Sequence, residues 1–177
     1  MKFCEMPYTR PDIDETKKSF DSLTERLASA KSYADAKEVF LEEQKLEKHI
    51  DTLVNLVSIR HSVNTRDKFY DEEKNFWNGA MPELQEYMQK WTGAMLATPF
   101  REDFSAEYGN LMFVNAEISL KAFSPEIIPE LQRENELVQE YEKLLASAQI
   151  PFEGGAYTLS QLSPFKTGAD DKRRLAA

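Results

Sequence analysis

Residues 32–60, SYADAKEVFLEEQKLEKHIDTLVNLVSIR, decide the fold, because apolar positions recur in them at the spacing of a long α-helix. The recurring positions step along the chain by three and four residues in turn, and Ser32 can cap the start. They are Ala36, Val39, Glu43, Leu46, Ile50, Leu53, Val57 and Arg60, with Phe40 and Leu56 widening the stripe. The pattern predicts one helix of about thirty residues. Its apolar stripe can be buried only against other elements.

Similar patterns on both sides of this stretch predict further helices. Upstream, Asp12 can cap a helix that continues to Ala30. Downstream, a short helical segment ends before Gly79, and a second helix runs from Pro82 to Ala97, because glycine and proline interrupt the pattern.

Two more helices are predicted over residues 104–122 and over a segment that Pro125 opens and Leu145 ends. Six helical segments with short connections predict an antiparallel array of packed long helices. The 6 Gly and 8 Pro among 177 residues are too few for a β-sandwich or a barrel. The predicted fold class is therefore all-α.

The last part of the chain has a different pattern. Gly154 and Gly155 lie between short apolar runs, which predicts a small β-hairpin near the C-terminus. Residues 163–168 are predicted as a loop, and residues 169–177 as the first turns of a helix without a C-terminal stop signal. We therefore expect a helical domain over 1–149, then the hairpin and the start of a further helical region over 150–177, in a truncated chain.

The composition excludes several classes of protein. With 41% hydrophobic residues the chain can form a core, and a net charge of -9 disfavours nucleic acid and anionic membrane surfaces as partners. No apolar run approaches the roughly 18 residues of a membrane helix. Cys4 has no second cysteine to pair with, and Glu5 and Pro7 stand where a signal peptide would be apolar. These features predict a soluble, cytoplasmic protein.

The residue types that carry chemistry form no recognisable site. His49 and His61 are 12 residues apart on one predicted helix, too far to share a metal ion, and no H-E-x-x-H motif is present. Glu42 and Glu43 are interpreted as part of a solvated, mixed-charge face. Glu43 falls within the apolar stripe, where we expect its long side chain to reach out to solvent. No residue is predicted to be catalytic, to bind a cofactor or to ligate a metal.

Two segments carry a resemblance to a known family. Residues 2–12, KFCEMPYTRPD, and residues 151–162, PFEGGAYTLSQL, together with the helical body, resemble the N-terminal region of oligoendopeptidase F and its thimet-oligopeptidase-like relatives, which are zinc metallopeptidases. The resemblance covers essentially the whole chain. It implies a mostly helical peptidase with two lobes around a deep cleft that admits short peptides.

The same resemblance implies that the chemistry lies outside these 177 residues. In that family an H-E-x-x-H helix supplies two zinc ligands and a general base, and none of those residues occurs here. We therefore expect zinc and peptide substrates to belong to a full-length parent. The chain alone is expected to hold no zinc, to be inactive as a peptidase, and to self-associate through exposed apolar surface.

Two alternatives come from other classes. One is a stand-alone helical module that binds peptides or proteins without cleaving them, and the other is an enzyme with a metal held by carboxylates alone. A stand-alone domain would unfold in one sharp transition, whereas a severed lobe would expose apolar surface.

Overall fold

The computed structural model describes residues 3–168 and 170–176, which are mostly α-helical, as predicted. The helices are α1 (Ile13–Ala28), α2 (Tyr33–Val63), α3 (Lys68–Ala97), α4 (Arg101–Tyr108), α5 (Leu111–Ala122), α6 (Ile128–Ser147), α7 (Leu159–Lys166) and α8 (Asp171–Ala176). The strands are β1 (Ile150–Phe152) and β2 (Gly155–Tyr157). Single turns of 3-10 helix cover Phe3–Glu5 and Pro125–Ile127.

The first three helices begin at capping residues and pack on one another. The carboxylate of Asp12 accepts a hydrogen bond from the backbone N–H of Glu15 at 3.0 Å, and Ser32 Oγ accepts from Asp35 N–H at 3.2 Å. Both caps were predicted, and both satisfy donors that the first turn leaves free. Asp67 caps α3 in the same way.

Helices α1 to α5 form a helical layer, and two clusters of buried side chains make up its core. The first joins α1, α2, α3, α4 and α5 through Leu23, Leu27, Ala36, Val39, Phe40, Trp91, Met95, Phe104 and Phe113. The second joins α1, α2 and α3 through Phe20, Ile50, Leu53, Val57, Trp77, Ala80 and Leu84. Leu46 of α2 packs against both clusters. α1, α2 and α3 therefore contribute to both clusters, and the apolar stripe of α2 links the two through Leu46.

The predicted interruption of α3 at Gly79 and Pro82 is wrong. The helix continues through both residues, and Pro82 lies buried inside it. A proline within a helix costs about 3 kcal/mol. Trp77 before the proline and Leu84 after it lie in the same core cluster, so one continuous helix buries both. Tertiary packing outweighs the local cost.

The predicted single helix over residues 104–122 is also wrong, because α4 and α5 are separate. The break lies at Gly109, whose φ is +86° and ψ is 152°. Glycine adopts this conformation freely, whereas residues with a Cβ do not. Phe104 of α4 and Phe113 of α5 both enter the first cluster, so the break lets two short helices bury one aromatic ring each.

The predicted hairpin is confirmed. β1 and β2 pair antiparallel with Pro151 opposite Ala156. The connecting residues Glu153 and Gly154 have φ values of 48° and 79°, as a tight two-residue turn between right-twisted strands requires.

The predicted loop over residues 163–168 is wrong in its first part, because α7 extends to Lys166. Thr158 and Gln161 form a capping box, which starts the helix. The ring of Phe165 packs at 5.3 Å from the rings of Phe152 and Tyr157. α8 covers most of the predicted terminal helix, while residues 169 and 177 lie outside the described residues.

The chain forms two compact units, Met1–Gln132 and Arg133–Ala177. The predicted division at residues 149 and 150 concerns the domains of a longer parent, and it stays a prediction. Among the described residues, no helix is both long enough and apolar enough to cross a membrane.

Candidate functional site

Glu43 lies on α2 and is buried, with 2% of its surface exposed to solvent. The expectation that its side chain reaches solvent is therefore wrong. Residues of α3 and α5 close over this part of α2, which leaves the carboxylate inside the protein. A buried carboxylate is costly unless it is paired or neutralised, so its surroundings decide what it does.

A cavity of about 180 Å³ lies beside Glu43 in the unit formed by residues 1–132. Its apolar wall consists of Phe40, Met88, Trp91, Met95, Met112 and Ala116. Its polar groups are Glu43, Gln44, Glu47 and Thr92. The cavity therefore combines two carboxylates with two aromatic side chains and three thioethers.

A side-chain amide connects the two carboxylates. Gln44 Nε2 donates to Glu43 Oε2 and to Glu47 Oε2, at 3.2 Å in each case. In the part of the chain that the structure describes, no Lys, Arg or His side chain forms an ion pair with either carboxylate. Glu43 and Glu47 are four residues apart on α2, a spacing at which like charges repel. The two carboxylates thus share a neutral donor, and the charge of Lys48 partly compensates that of Glu47.

This environment shifts both pKa values upward. Burial, with the neighbouring charge of Glu47, raises the pKa of Glu43 to about 7, although the hydrogen bond from Gln44 opposes the shift. Burial and the carboxylate of Asp51 raise the pKa of Glu47. The carboxylate of Glu47, as a like charge, therefore disfavours ionisation of Glu43. Such perturbed groups beside a cavity mark a candidate functional site.

A second buried carboxylate, Glu73 on α3, has a different environment. Arg10 Nη2 donates to Glu73 Oε1 at 2.7 Å, and Arg10 Nε lies 3.0 Å from Oε2. The hydroxyl of Tyr8 donates to Glu73 Oε2 at 2.5 Å and accepts from Trp77 Nε1 at 3.1 Å. These bonds fasten the extended segment before α1 to α3.

The hydrogen bonds determine the charge of Glu73. Burial alone would raise its pKa, but the bonds from Arg10 and Tyr8 outweigh burial and hold the pKa of Glu73 below its usual value. Burial and the bond to Glu73 raise the pKa of the Tyr8 phenol. The network is a structural anchor built on an ion pair, whereas neither carboxylate beside the cavity forms an ion pair with another described residue.

The two histidines are not brought together. His49 is exposed on α2, whereas His61 is buried with Nε2 3.2 Å from Asp71 Oδ1. Within residues 3–168 and 170–176, no group of three or more His, Cys, Asp or Glu side chains is placed to hold a metal ion. That the chain has no catalytic, cofactor or metal residue stays a prediction.

Comparisons with known proteins identify the family of this fold. The family model of the Peptidase M3 N-terminal domain matches residues 3–123. A protein assigned as oligoendopeptidase F from Bacillus anthracis str. Ames is 41% identical, with a TM-score of 0.94 over 99% of this chain and 32% of its own. A comparison with curated proteins found no match.

Two other solved structures are similar. A second protein assigned as oligoendopeptidase F, in a 3.1 Å X-ray structure, is 37% identical, with a TM-score of 0.94 over 99% of this chain and 31% of its own. PZ peptidase A with an inhibitor is 36% identical, with a TM-score of 0.93 over 98% and 31%. The chain spans about a third of the length of the solved structures it matches. It belongs to the M3 peptidase family and corresponds to the N-terminal region of that family.

Proposed function

We propose that the chain is the N-terminal part of a zinc metallo-oligopeptidase that hydrolyses short peptides. The observation that carries the proposal is the match of 99% of the chain to one third of an oligoendopeptidase F structure, at a TM-score of 0.94. In this proposal the helices form part of the wall of a peptide-binding cleft and contribute no reacting group. The 177-residue chain alone is inactive.

The zinc ion of such an enzyme would be held elsewhere. The two histidines of the chain are separated as described above, and the buried carboxylates are either paired with arginine or placed against thioethers and an indole. These described residues do not fit a catalytic zinc site, which takes three protein ligands and an open position.

Three further features belong to the same proposal. The helical domain covers residues 1–149, and residues 150–177 lead into the next region of the parent. The protein works in the cytoplasm, where a single reduced cysteine is stable. Its substrates are short peptides, with no role for nucleic acid or membranes.

A hybrid enzyme tests the proposal. The chain replaces the corresponding third of the Bacillus anthracis protein, and cleavage of a fluorescence-quenched peptide is measured with zinc present. We expect the hybrid to cleave the peptide, while the same recipient without any N-terminal part, and the 177-residue chain alone, do not.

Two results would contradict the proposal. One is a hybrid that unfolds in a single cooperative transition, and so is folded, but does not cleave the peptide although the unmodified recipient does. The other is cleavage by the purified chain alone, at a rate that rises when zinc is added. A chain that unfolds sharply on its own, together with a folded hybrid that does not cleave the peptide, would instead favour a stand-alone binding module.

A further inference from the structure

We propose that the cavity beside Glu43 binds a primary ammonium group on an apolar stem, such as the lysine side chain of a peptide. The assignment to a peptide rests on the proposed function, whereas the ammonium chemistry rests on the cavity itself. No part of the family's catalytic machinery enters the argument.

The charge of the cavity favours a cation. Glu43 is buried and forms no ion pair within the part of the chain that the structure describes, and Glu47 adds a second carboxylate one helical turn away. Gln44 Nε2 lies within 3.2 Å of an oxygen of both groups, which shows that one nitrogen can reach both at once. An ammonium nitrogen has three donors and a full charge, and hydrogen bonds between charged groups are about twice as strong as neutral ones.

The walls favour an organic cation over a metal ion. Calcium takes six to eight oxygen ligands and magnesium keeps a shell of water, but most of this cavity is lined by apolar side chains. The indole of Trp91 is the aromatic ring best suited to a cation. Met88, Met95 and Met112 offer flexible, polarisable contacts to an aliphatic stem.

The size of the cavity limits what can enter. Pockets for whole drug-sized ligands have about 300–1,000 Å³, whereas this one has about 180 Å³. It therefore admits one side chain and not an entire peptide. Gln44, Glu47, Met112 and Ala116 are only partly buried, so the cavity can be reached from the surface of the unit.

Binding is expected to depend on pH, because only the ionised carboxylates attract the ammonium. α3 presents Met88, Trp91 and Thr92 together with Met95, and α5 presents Met112 and Ala116, none of which titrates. The titratable groups of the cavity wall are therefore Glu43 and Glu47, both on α2, and the charges of Asp51 and Lys48 on the same helix act on Glu47. A lysine ammonium stays charged well above neutral pH. Affinity should therefore rise between pH 6 and pH 8.

The test uses the 177-residue chain and two small probes. Nα-acetyl-lysine amide carries the ammonium, and Nα-acetyl-norleucine amide has a similar apolar stem without it. Binding is followed by calorimetry and by NMR shifts of the methionine methyl groups. We expect the lysine probe to bind and to shift the methyls of Met88, Met95 and Met112, and the norleucine probe to bind at least about tenfold more weakly.

Glu43→Gln removes the buried charge while keeping the shape of the side chain, and Glu38→Gln on the exposed face of α2 is the matched control. We expect Glu43→Gln to weaken binding of the lysine probe at least about tenfold and Glu38→Gln to leave it unchanged. Equal binding of both probes, or full binding by folded Glu43→Gln, would overturn the proposal. Displacement of the lysine probe by an equal concentration of calcium chloride would replace it with a metal site.

This result is independent of the hybrid enzyme. The binding test measures no cleavage. An inactive hybrid would therefore not contradict the ammonium site. Conversely, if the lysine probe does not bind to the cavity, the peptidase proposal is not affected.

Discussion

At the scale of single residues, two buried glutamates offset the cost of burying a carboxylate in opposite ways. Glu73 is neutralised by Arg10 and held by Tyr8, whereas Glu43 accepts a hydrogen bond from the neutral amide of Gln44. The difference appears in the opposite shifts of their pKa values. One residue stabilises the fold through its charge, and the other stabilises it only when the charge is absent.

Glu43→Gln is therefore expected to stabilise the chain in a pH-dependent way. Folding raises the pKa of Glu43 from its ordinary 4.5 to about 7, so the folded state holds a proton that the unfolded state has lost. The native chain loses stability as the pH rises through this window, and the glutamine variant does not. At pH 8 we expect a gain of about 3 kcal/mol, and at pH 4 almost none.

Urea unfolding of both chains at pH 4 and pH 8 measures this difference. Glu38→Gln, which changes an exposed residue of α2, controls for the change in net charge. An equal effect of Glu43→Gln at both pH values would show that the carboxylate is not buried in its charged form.

Arg10→Met should be destabilising for the opposite reason. Removing the guanidinium leaves Glu73 buried with only Tyr8 as a partner, at a cost of about 2 kcal/mol. Arg26→Met is a matched control, since the side chains of Arg10 and Arg26 are 47% and 46% exposed, but their partners Glu73 and Glu42 are 5% and 39% exposed. The exposed pair should contribute less than about 1 kcal/mol.

Chemical unfolding at pH 7 compares the two variants. Equal losses would mean that the burial of the carboxylate does not matter. The Arg10→Met effect should shrink as the pH falls, because the pKa of Glu73 is lowered in the folded chain and protonation removes the stranded charge.

Sequence reasoning reached these residues only in part. The position of Glu43 in the apolar stripe was visible, but its burial depends on α3 and α5, which no local pattern places over it. Arg10 and Glu73 are separated by 63 positions, and their pairing follows from packing of the N-terminal segment on α3. An ion pair between residues that are far apart in the sequence produces no pattern in a short stretch of sequence.

At the scale of elements, caps and periodicity were sufficient wherever the signal was local. The caps Asp12 and Ser32 and the hairpin around Gly154 were all predicted, because each acts within a few residues. The course of the chain through Pro82 and the break at Gly109 were not. In both cases, the burial of large side chains decides between conformations that the local sequence leaves open.

Two glycines give a matched test at this scale. Gly109→Ala places a Cβ at φ +86° and ψ 152°, a region that is nearly exclusive to glycine, and should cost about 1–3 kcal/mol. Gly93→Ala lies inside α3 with open space around the added Cβ, and should stabilise the chain by about 0.5–1 kcal/mol.

Thermal unfolding followed by circular dichroism should thus shift in opposite directions for the two variants. If Gly109→Ala were neutral, α4 and α5 would have to join in solution into the single helix that the sequence pattern predicted.

At the scale of the whole molecule, α6 carries several exposed apolar side chains. Its exposed apolar side chains repeat at helical spacing and form one stripe of Leu137, Val138, Tyr141, Leu144 and Leu145. An exposed stripe of this kind favours association. We expect the predicted self-association of the chain to occur through this surface.

Leu144→Glu should therefore reduce association without unfolding the chain. Sedimentation velocity across a range of concentrations measures the effect, and Val63→Glu at the exposed end of α2 is the control. We expect the native chain and the control to form larger species as concentration rises, and Leu144→Glu to remain monomeric for longer. A native chain that is monomeric throughout would contradict the prediction.

The sharing of α2 by two clusters has a kinetic consequence. Because Leu46 touches both, neither cluster can open at the middle of this helix unless the other is disturbed as well. Backbone amides around Leu46 should exchange their hydrogens with solvent only when the whole helical layer unfolds, and those near Val63 should exchange through local fraying. In a hydrogen-exchange experiment, the backbone amides at the centre of α2 would then exchange more slowly than any others in the molecule.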